Sequence, residues 1–432
     1  MKNIFKQIIV YILIQEARLI LWRYKPNIIA VTGSVGKTST KDAIYSVLSK
    51  KFFVRKSEKS YNSEIGLPLT IIGCRNAWNN PFLWSLNILK GLKVILFGGD
   101  YPKWLVLEVG ADRPGDIKGL SKWLRTDIAV ITRIGKVPVH VEFFKSQKEV
   151  FEEKASILAT LKEKGKAILN IDDEDIATLK DKTNREVVTV SSFKHADITA
   201  SNYQVSYAEN SGLPEGIMFR VDYRGSSIPI SIKGVLGEQH IYPILNSVGV
   251  GLALGLNAVE INESLSNHAS PRGRMRVIEG IGGSCVVDDT YNSSPIALSY
   301  ALKTLAGLKT KGRKIAVLGD MLELGKFSSE EHEKMGLEAS KSVNILITVG
   351  LRSKRIAESA QMAGLSKENI FEFDSSITAG EFLKEKIGNG DIILVKGSQS
   401  MRMEKVVEKI MAHPEQAEEL LVRQEREWKD KN

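Results

Sequence analysis

Cysteine is scarce: Cys74 and Cys285 are the only two in 432 residues, and they are too far apart for metal-ligand spacing. That argues against a disulfide framework or a cysteine-based zinc site and for a reducing compartment, hence a cytoplasmic protein. Long apolar runs are missing too. No window of about 20 apolar residues occurs, so no membrane-spanning helix is expected. No small-residue cleavage site follows the apolar first stretch, so no signal peptide is expected. Internal repeats and low-complexity segments are also lacking.

What remains is an ordinary globular composition, 43% hydrophobic and 26% charged, long enough for roughly two or three domains with their own cores. The formal net charge of +9 suits an anionic substrate, a nucleic acid or an acidic membrane surface equally, and selects none. In the first stretch Phe5, Ile9, Leu13, Ala17 and Leu21 recur at every fourth position, with Ile12 and Ile20 beside them. They form one face of an amphipathic helix over residues 1–24. Packing on the domain is the plain reading of that helix; attachment to a membrane surface or a partner protein is the sharper one.

The stretch from Ile28 to Thr40 organises the rest. An apolar run ends in a glycine-bracketed turn, and Gly36-Lys37-Thr38 opens a helix. A buried strand, a loop of backbone amides and a helix N-terminus aimed at one anion form a triphosphate site. Gly33, Ser34, Val35, Gly36, Lys37, Thr38 and Ser39 are its candidate residues. Lys37 reaches the phosphates and the Thr38 hydroxyl ligates Mg²⁺. The usual first glycine of such a loop is replaced by Val31, which makes this a variant. A plain turn with a surface lysine is the alternative. Asn62, in the following polar turn, is placed to approach the phosphates.

Strand-like runs at Trp104 to Val109, Asp127 to Thr132 and Ala167 to Ile171 alternate with helical segments, which predicts a parallel sheet with helices on both faces. Ligands bind such sheets at the carboxyl ends of strands, where Glu108 and Thr132 stand, with His140 in the loop beyond. Residues 74–104 are rich in aromatics and read as a helical hairpin that buries itself, or else as a docking surface. Alternating runs between roughly 183 and 236 predict antiparallel hairpins appended to the sheet. A helix over Ile241 to Leu254 and a hinge at Pro271 to Met275 precede a second α/β unit. Its strands are expected at Cys285 to Asp288, Lys314 to Leu318, Ile345 to Val349 and Ile392 to Val395.

Ser146 and Glu149 form a capping box that starts a helix near Gln147. Val150, Ile157, Leu158 and Leu161 make its apolar stripe, and Lys154 falls within the stripe and points inward. Burial disfavours the charge of a lysine and exposes a neutral amine, which combines with CO₂ to give an anionic carbamate. A lysine that snorkels to solvent is the competing reading, and helix geometry alone favours it. Asp288, Asp289 and Asn292 end a strand in the second unit, where a plain turn competes with a ligand site. His332 is either a ligand contact or a helix cap.

The segments Thr32 to Thr38, Leu107 to Gly110, Asp288 to Pro295 and Leu318 to Gly325 resemble the Mur ligase family in content and order, over roughly residues 26–412. The resemblance implies a central P-loop ATPase-like parallel sheet domain with appended hairpins (25–270) and a Rossmann-like C-terminal α/β domain (271–432). It implies an ATP-dependent peptide ligase acting through an acyl phosphate, most like the branch that adds D-Ala-D-Ala to a UDP-muramyl-tripeptide in peptidoglycan precursor synthesis. The implied cofactors are ATP, Mg²⁺ at two sites and a carbamylated Lys154. The spacing of fourteen between His140 and Lys154 matches the family's histidine and carbamylated lysine. Thr38, Glu108, His140 and Lys154 become metal-site residues, with Lys37, His140 and Lys154 in catalysis. Arg274, Asp289 and Asn292 become ATP contacts from the C-terminal domain. A monomer with no nucleic-acid partner is expected.

Two departures stand out. The family's G-x-H-N-x-x-N segment reads Gly237 to Pro243 here, which leaves Asn246 to replace an adenine contact. Only about two dozen residues precede the loop, where the family has a whole UDP-sugar-binding domain. A folylpolyglutamate or cyanophycin synthetase-like ligase is the alternative within the class. A P-loop ATPase or regulatory module without ligase activity is the alternative outside it.

Overall fold

A strand buried on both sides must lie inside a sheet covered by helices, and β1 (Asn27–Thr32) is such a strand, exposed in part only at Asn27. The computed structural model that contains it describes residues 2–58, 65–78, 80–135, 141–266, 268–425 and 428, with side chains from residue 7 onward. Asn62 and His140 fall outside the described residues.

α1 (Lys2–Tyr24) precedes β1, and α2 (Lys37–Ser49), β2 (Val54–Lys56), α3 (Gly66–Ile72) and α4 (Pro81–Phe97) follow it. Next come β3 (Trp104–Glu108), α5 (Asp116–Leu120), β4 (Thr126–Ile131), α6 (Gln147–Ala155) and β5 (Leu161–Asn170). A single turn, α7 (Glu174–Ala177), leads to β6 (Glu186–Ser191), β7 (Ile198–Tyr207), β8 (Pro214–Tyr223) and β9 (Ser226–Lys233). These strands form one sheet in the order β2-β3-β1-β4-β5-β6-β7-β8-β9. Neighbours from β2 to β7 run parallel, and β7 to β9 close the edge as antiparallel hairpins. The appended hairpins thus continue the main sheet.

Side-chain alternation along β1 sorts the core into two layers. Ile29 and Val31 pack with Ile44 and Val47 of α2 and with Leu245 and Val248 of α8 (Ile241–Ala253). Ile28 and Ala30 pack with Leu13, Ala17 and Ile20 of α1 and with Leu67 and Leu69 of α3. After α9 (Ala258–Leu265) the chain starts a second sheet. It comprises β10 (Arg276–Gly280), β11 (Ser284–Asp289), α10 (Pro295–Gly307), β12 (Lys314–Gly319), α11 (Ser328–Ser340) and β13 (Ile345–Val349). α12 (Lys354–Met362), β14 (Ile370–Phe373), α13 (Ser376–Lys384), β15 (Ile392–Lys396) and α14 (Glu404–Ile410) complete it. The strand order is β10-β11-β15-β12-β13-β14, parallel except for the β10–β11 pair. This is the two-unit α/β architecture expected, with β10 and β14 added as edge strands.

Two expectations change. α1 packs on the domain, but its buried face is Ile9, Leu13, Glu16, Ala17 and Ile20, rotated so that an acid lies inside and Leu21 is only half-buried. The aromatic segment does not bury itself. α4 buries only Trp84 and Gly91, because its apolar residues run around the whole helix while α1 and α3 cover a single side. No helix among the described residues is long and apolar enough to cross a membrane, and both cysteines are free and buried.

Candidate active site

β1, β3 and β4 end side by side, and the chain turns sharply after β1. Gly33 adopts φ 143°, and a Cβ there would lie 2.1 Å from the Thr132 hydroxyl, so only glycine fits. The amides of Ser34 and Val35 donate to the Arg133 carbonyl at 2.6 and 3.1 Å. Gly36, left-handed at φ 85°, starts α2 without a side-chain cap, which keeps the first-turn amides and the positive end of the helix dipole available to an anion. Lys37 folds back over the loop, with Nζ 3.0 Å from Gly33 O.

Thr38 Oγ1 donates to Glu108 Oε1 at 3.2 Å. The Glu108 amide donates to Ser57 Oγ, and Lys41 Nζ holds Ser57 O at 2.8 Å, so the end of β3 is pinned from behind. Glu108 Oε2 is buried with no hydrogen-bond partner among the described residues. A buried carboxylate with an orphan oxygen beside a hydroxyl is a hard oxygen set that fits Mg²⁺. Among the described residues no group of three or more His, Cys, Asp or Glu side chains converges as a metal cage.

α6 begins at Gln147, where Ser146 Oγ accepts from the Glu149 amide at 3.1 Å. The reciprocal half of the box is displaced by one residue, since Glu149 accepts from the amide of Lys145. Glu153 anchors the helix by accepting from the amides of Gly115, Ile117 and Lys118 at the start of α5. Lys154 is therefore held inward, 2% exposed, with no ion pair within 4 Å among the described residues. Burial and the neighbouring Lys37 charge bring its amine down to about 7, against the pull of Asp112 and Glu153. Burial also lowers Lys37, with Glu108 opposing and Arg274 adding to the effect.

The second sheet supplies the opposite wall. Arg274 lies over the Tyr291 ring, 4.2 Å from guanidinium carbon to ring centre. Arg423, paired with Glu404 at 2.8 Å, donates to the carbonyls of Thr290 and Tyr291 and fixes the turn after β11. Ser294 caps α10 by accepting from the Ala297 amide, with Pro295 in the first turn. A cavity of about 620 Å³ lies between the two walls. Ser34 to Thr38, Glu108, Asp112 and Lys154 line one side; Arg274, Tyr291, Asn292, Ser293, Ser294, Ser398 and Gln399 line the other.

Not every candidate faces this space. Gly33 and Ser39 sit behind the lining. Asp289 turns away: its carboxylate pairs with Lys396 Nζ at 2.6 Å and accepts from the Met275 amide. Lys396 also donates to Asn292 O at 2.9 Å, so Asp289 supports Asn292 from beneath. Asn246 is fully buried in α8, with Nδ2 on the Tyr242 carbonyl, and does not reach the cavity. His240 is buried too, with Nδ1 3.1 Å from Ser270 Oγ, and burial lowers it to about 4. His332 is structural: Nε2 accepts from the Met321 amide and Nδ1 meets the Ser328 carbonyl.

Sequence reasoning missed Asp112, Arg133, Tyr291 and Lys396. Asp112 stands four residues past Glu108 in the same strand-end loop, a local signal of its place, whereas Lys396 gains its role only when β15 pairs with β11. Arg133 joins the walls: its guanidinium lies over the Tyr300 ring of α10 at 5.1 Å and hydrogen-bonds the Tyr300 hydroxyl.

Comparison with known proteins agrees with this arrangement. The profile for the "Mur ligase middle domain" matches residues 31–83 and 86–251, and that for the "Mur ligase, glutamate ligase domain" matches 273–399. The UDP-N-acetylmuramoyl-tripeptide–D-alanyl-D-alanine ligase of Bacillus subtilis (strain 168) is 28% identical over 401 residues, covering 93% of this chain and 79% of that protein. The crystal structure of MurF ligase from Thermotoga maritima in complex with ADP has a TM-score of 0.75 at 27% identity, covering 93% of this chain and 83% of that one. Folylpolyglutamate synthase from Mycobacterium tuberculosis, complexed with ADP and AMPPCP, shares the fold, with a TM-score of 0.63 at 13% identity over 91% of this chain and 94% of that one. The chain belongs to the Mur ligase family.

Proposed function

We infer that the chain is an ATP-dependent amide ligase that joins D-Ala-D-Ala to a UDP-muramyl-tripeptide in peptidoglycan precursor synthesis. The observation that carries the chemistry is the cavity itself: an uncapped helix N-terminus with Lys37, Thr38 and Glu108 faces Arg274, Tyr291 and Asn292 across one space. The likeness to the Bacillus subtilis and Thermotoga maritima ligases supports the substrate pair.

In this reading the loop amides and Lys37 hold the ATP phosphates, and Arg274 and Asn292 bind the nucleotide from the other wall. A substrate carboxylate oxygen attacks the γ-phosphorus, the bond to the β-phosphate oxygen breaks, and ADP leaves an acyl phosphate. The amine of the second substrate attacks the acyl carbon, loses a proton, and expels inorganic phosphate. The chain contributes positioning and charge neutralisation, as in other phosphoryl transfers. Thr38 and Glu108 would hold one Mg²⁺, and His140 with Lys154 a second. Such ions offset the repulsion between carboxylate and triphosphate. The Lys154 amine, neutral above about 7, adds to the carbon of CO₂ and gives its proton to water, which leaves a carbamate anion in a place where a cation would oppose metal binding.

Phosphate release from ATP over a panel of UDP-muramyl peptides and dipeptides tests the reading. Release is expected only when both carboxylate and amine substrates are present, and with UDP-muramyl-tripeptide plus D-Ala-D-Ala above all. Release with ATP alone would make the chain an ATPase. Silence with that pair but turnover with another would move it to a ligase with a different acceptor.

A further inference from the structure

The apolar surface that the fold leaves uncovered is concentrated on two adjoining helices. α1 and α4 lie side by side, with Arg23 donating to Ile95 O at 2.6 Å and Tyr24 to Val94 O at 2.9 Å. Gly91 of α4 closes directly on the Glu16 carboxylate of α1, where a Cβ would collide with it. Each helix turns a second apolar face outward. On α1 this face is Ile8, Tyr11, Leu19 and Trp22; on α4 it is Phe82, Leu86, Leu89, Leu96 and Phe97. Trp22 is 76% exposed and Phe97 80%.

The exposed charge on these helices has one sign. Arg18, Lys90 and Lys93 are exposed, α4 contains no acidic residue, and the only acid of α1, Glu16, is buried. Monomeric proteins rarely expose a contiguous apolar patch beyond a few hundred Å². An apolar face bordered by lysine and arginine, on helices unable to span a bilayer, matches helices that lie in a membrane interface. A second copy of the chain would also cover the apolar residues. Pairing through one shared patch would, however, set Arg18, Lys90 and Lys93 against their own copies, which like-charge repulsion opposes.

We propose that the α1–α4 face seats on the surface of an anionic bilayer. Its aromatic and leucine side chains enter the boundary between headgroups and acyl chains, and Arg18, Lys90 and Lys93 meet lipid phosphates. The proposal stands independently of which peptide the ligase extends.

Sedimentation of the full chain with vesicles tests it, using phosphatidylcholine alone and phosphatidylcholine mixed with phosphatidylglycerol. The chain is expected to pellet with the anionic vesicles and not with the neutral ones. The exposed-face variant Trp22→Ser/Phe82→Ser/Leu96→Ser/Phe97→Ser should bind about tenfold more weakly or worse. Arg18→Glu/Lys93→Glu should lose on the order of tenfold per reversed charge. Unchanged circular dichroism and melting temperature would show that both variants fold. The proposal is overturned if the native chain stays in the supernatant with anionic vesicles, or if both variants pellet as it does. A concentration-dependent dimer, abolished by the apolar variant and without vesicle binding, would instead make the face a contact between copies.

Discussion

The carbamate proposed for Lys154 should be lost on acidification, and the buried amine helps set how steeply. With its midpoint at about 7 rather than the ordinary 10.5, the amine is about nine-tenths neutral at about pH 8 and about one-tenth neutral at about pH 6. An unperturbed lysine would be neutral in only about three parts in ten thousand at about pH 7, so burial raises the reactive form by about a thousandfold. Because carbamate formation also releases a proton, the ratio of carbamylated to free Lys154 at fixed dissolved CO₂ should fall by well over tenfold between about pH 8 and about pH 6. NMR of the chain in isotopically labelled bicarbonate would follow the carbamate carbon directly, and phosphate release would follow its consequence. Stability runs in the same direction. The unfolded chain keeps the Lys154 proton up to 10.5 while the folded chain releases it at about 7, so stability rises with pH across that window and the full penalty falls below it. Lys154→Ala should lose the labelled signal and most turnover, with partial rescue by a short carboxylate that takes the empty place. A labelled signal that survives Lys154→Ala, or native turnover in that variant, refutes the carbamate.

Gly33→Ala would drive a Cβ to within 2.1 Å of the Thr132 hydroxyl; a loss of about 1–3 kcal/mol in denaturant melts and loss of ATP binding by calorimetry are expected. Lys396→Met leaves Asp289 buried without its cation. It should cost about 3–5 kcal/mol and weaken nucleotide binding through Asn292, which urea melts with and without ADP would separate. Glu16, pushed up to about 7 by burial against an ordinary 4.5, keeps its proton longer in the folded chain, so its contribution to stability is lost as pH rises through about 7. Glu16→Gln should thus stabilise the chain by about 2 kcal/mol at about pH 8, and have little effect at about pH 4, measured by thermal melts at both.

The parts of the site legible in sequence were those fixed by short-range rules. The turn from β1 to α2 needs glycine at Gly33 and Gly36, and the strand end at Glu108 follows from an apolar run of ordinary length. Periodicity and the Ser146 cap put Lys154 in line with inward-facing residues, but helix geometry alone favours a snorkelling lysine, and the resemblance, through the spacing from His140, favours the buried one. Residues whose roles arise from distant pairing were not readable. Nothing local in the run Leu394 to Ser398 says that Lys396 lies under Asp289, and Asp289 becomes a nucleotide contact only through the family resemblance, its own segment leaving a plain turn open. α4 defeated periodicity for another reason: its apolar residues occupy every side, so the covered side is marked only by Gly91 and by its fit to Glu16.

Arg133 has a consequence for the whole molecule. Its carbonyl holds the Ser34 and Val35 amides, while its side chain grips Tyr300 on the other wall. Phosphates that draw those amides toward themselves and any reorientation of the second sheet therefore act on the same residue. Where loosening the Tyr300 grip alters nucleotide affinity, reciprocity requires bound nucleotide to alter that grip by the same factor. Arg133 is thus the residue at which lobe posture and loop occupancy can be compared directly.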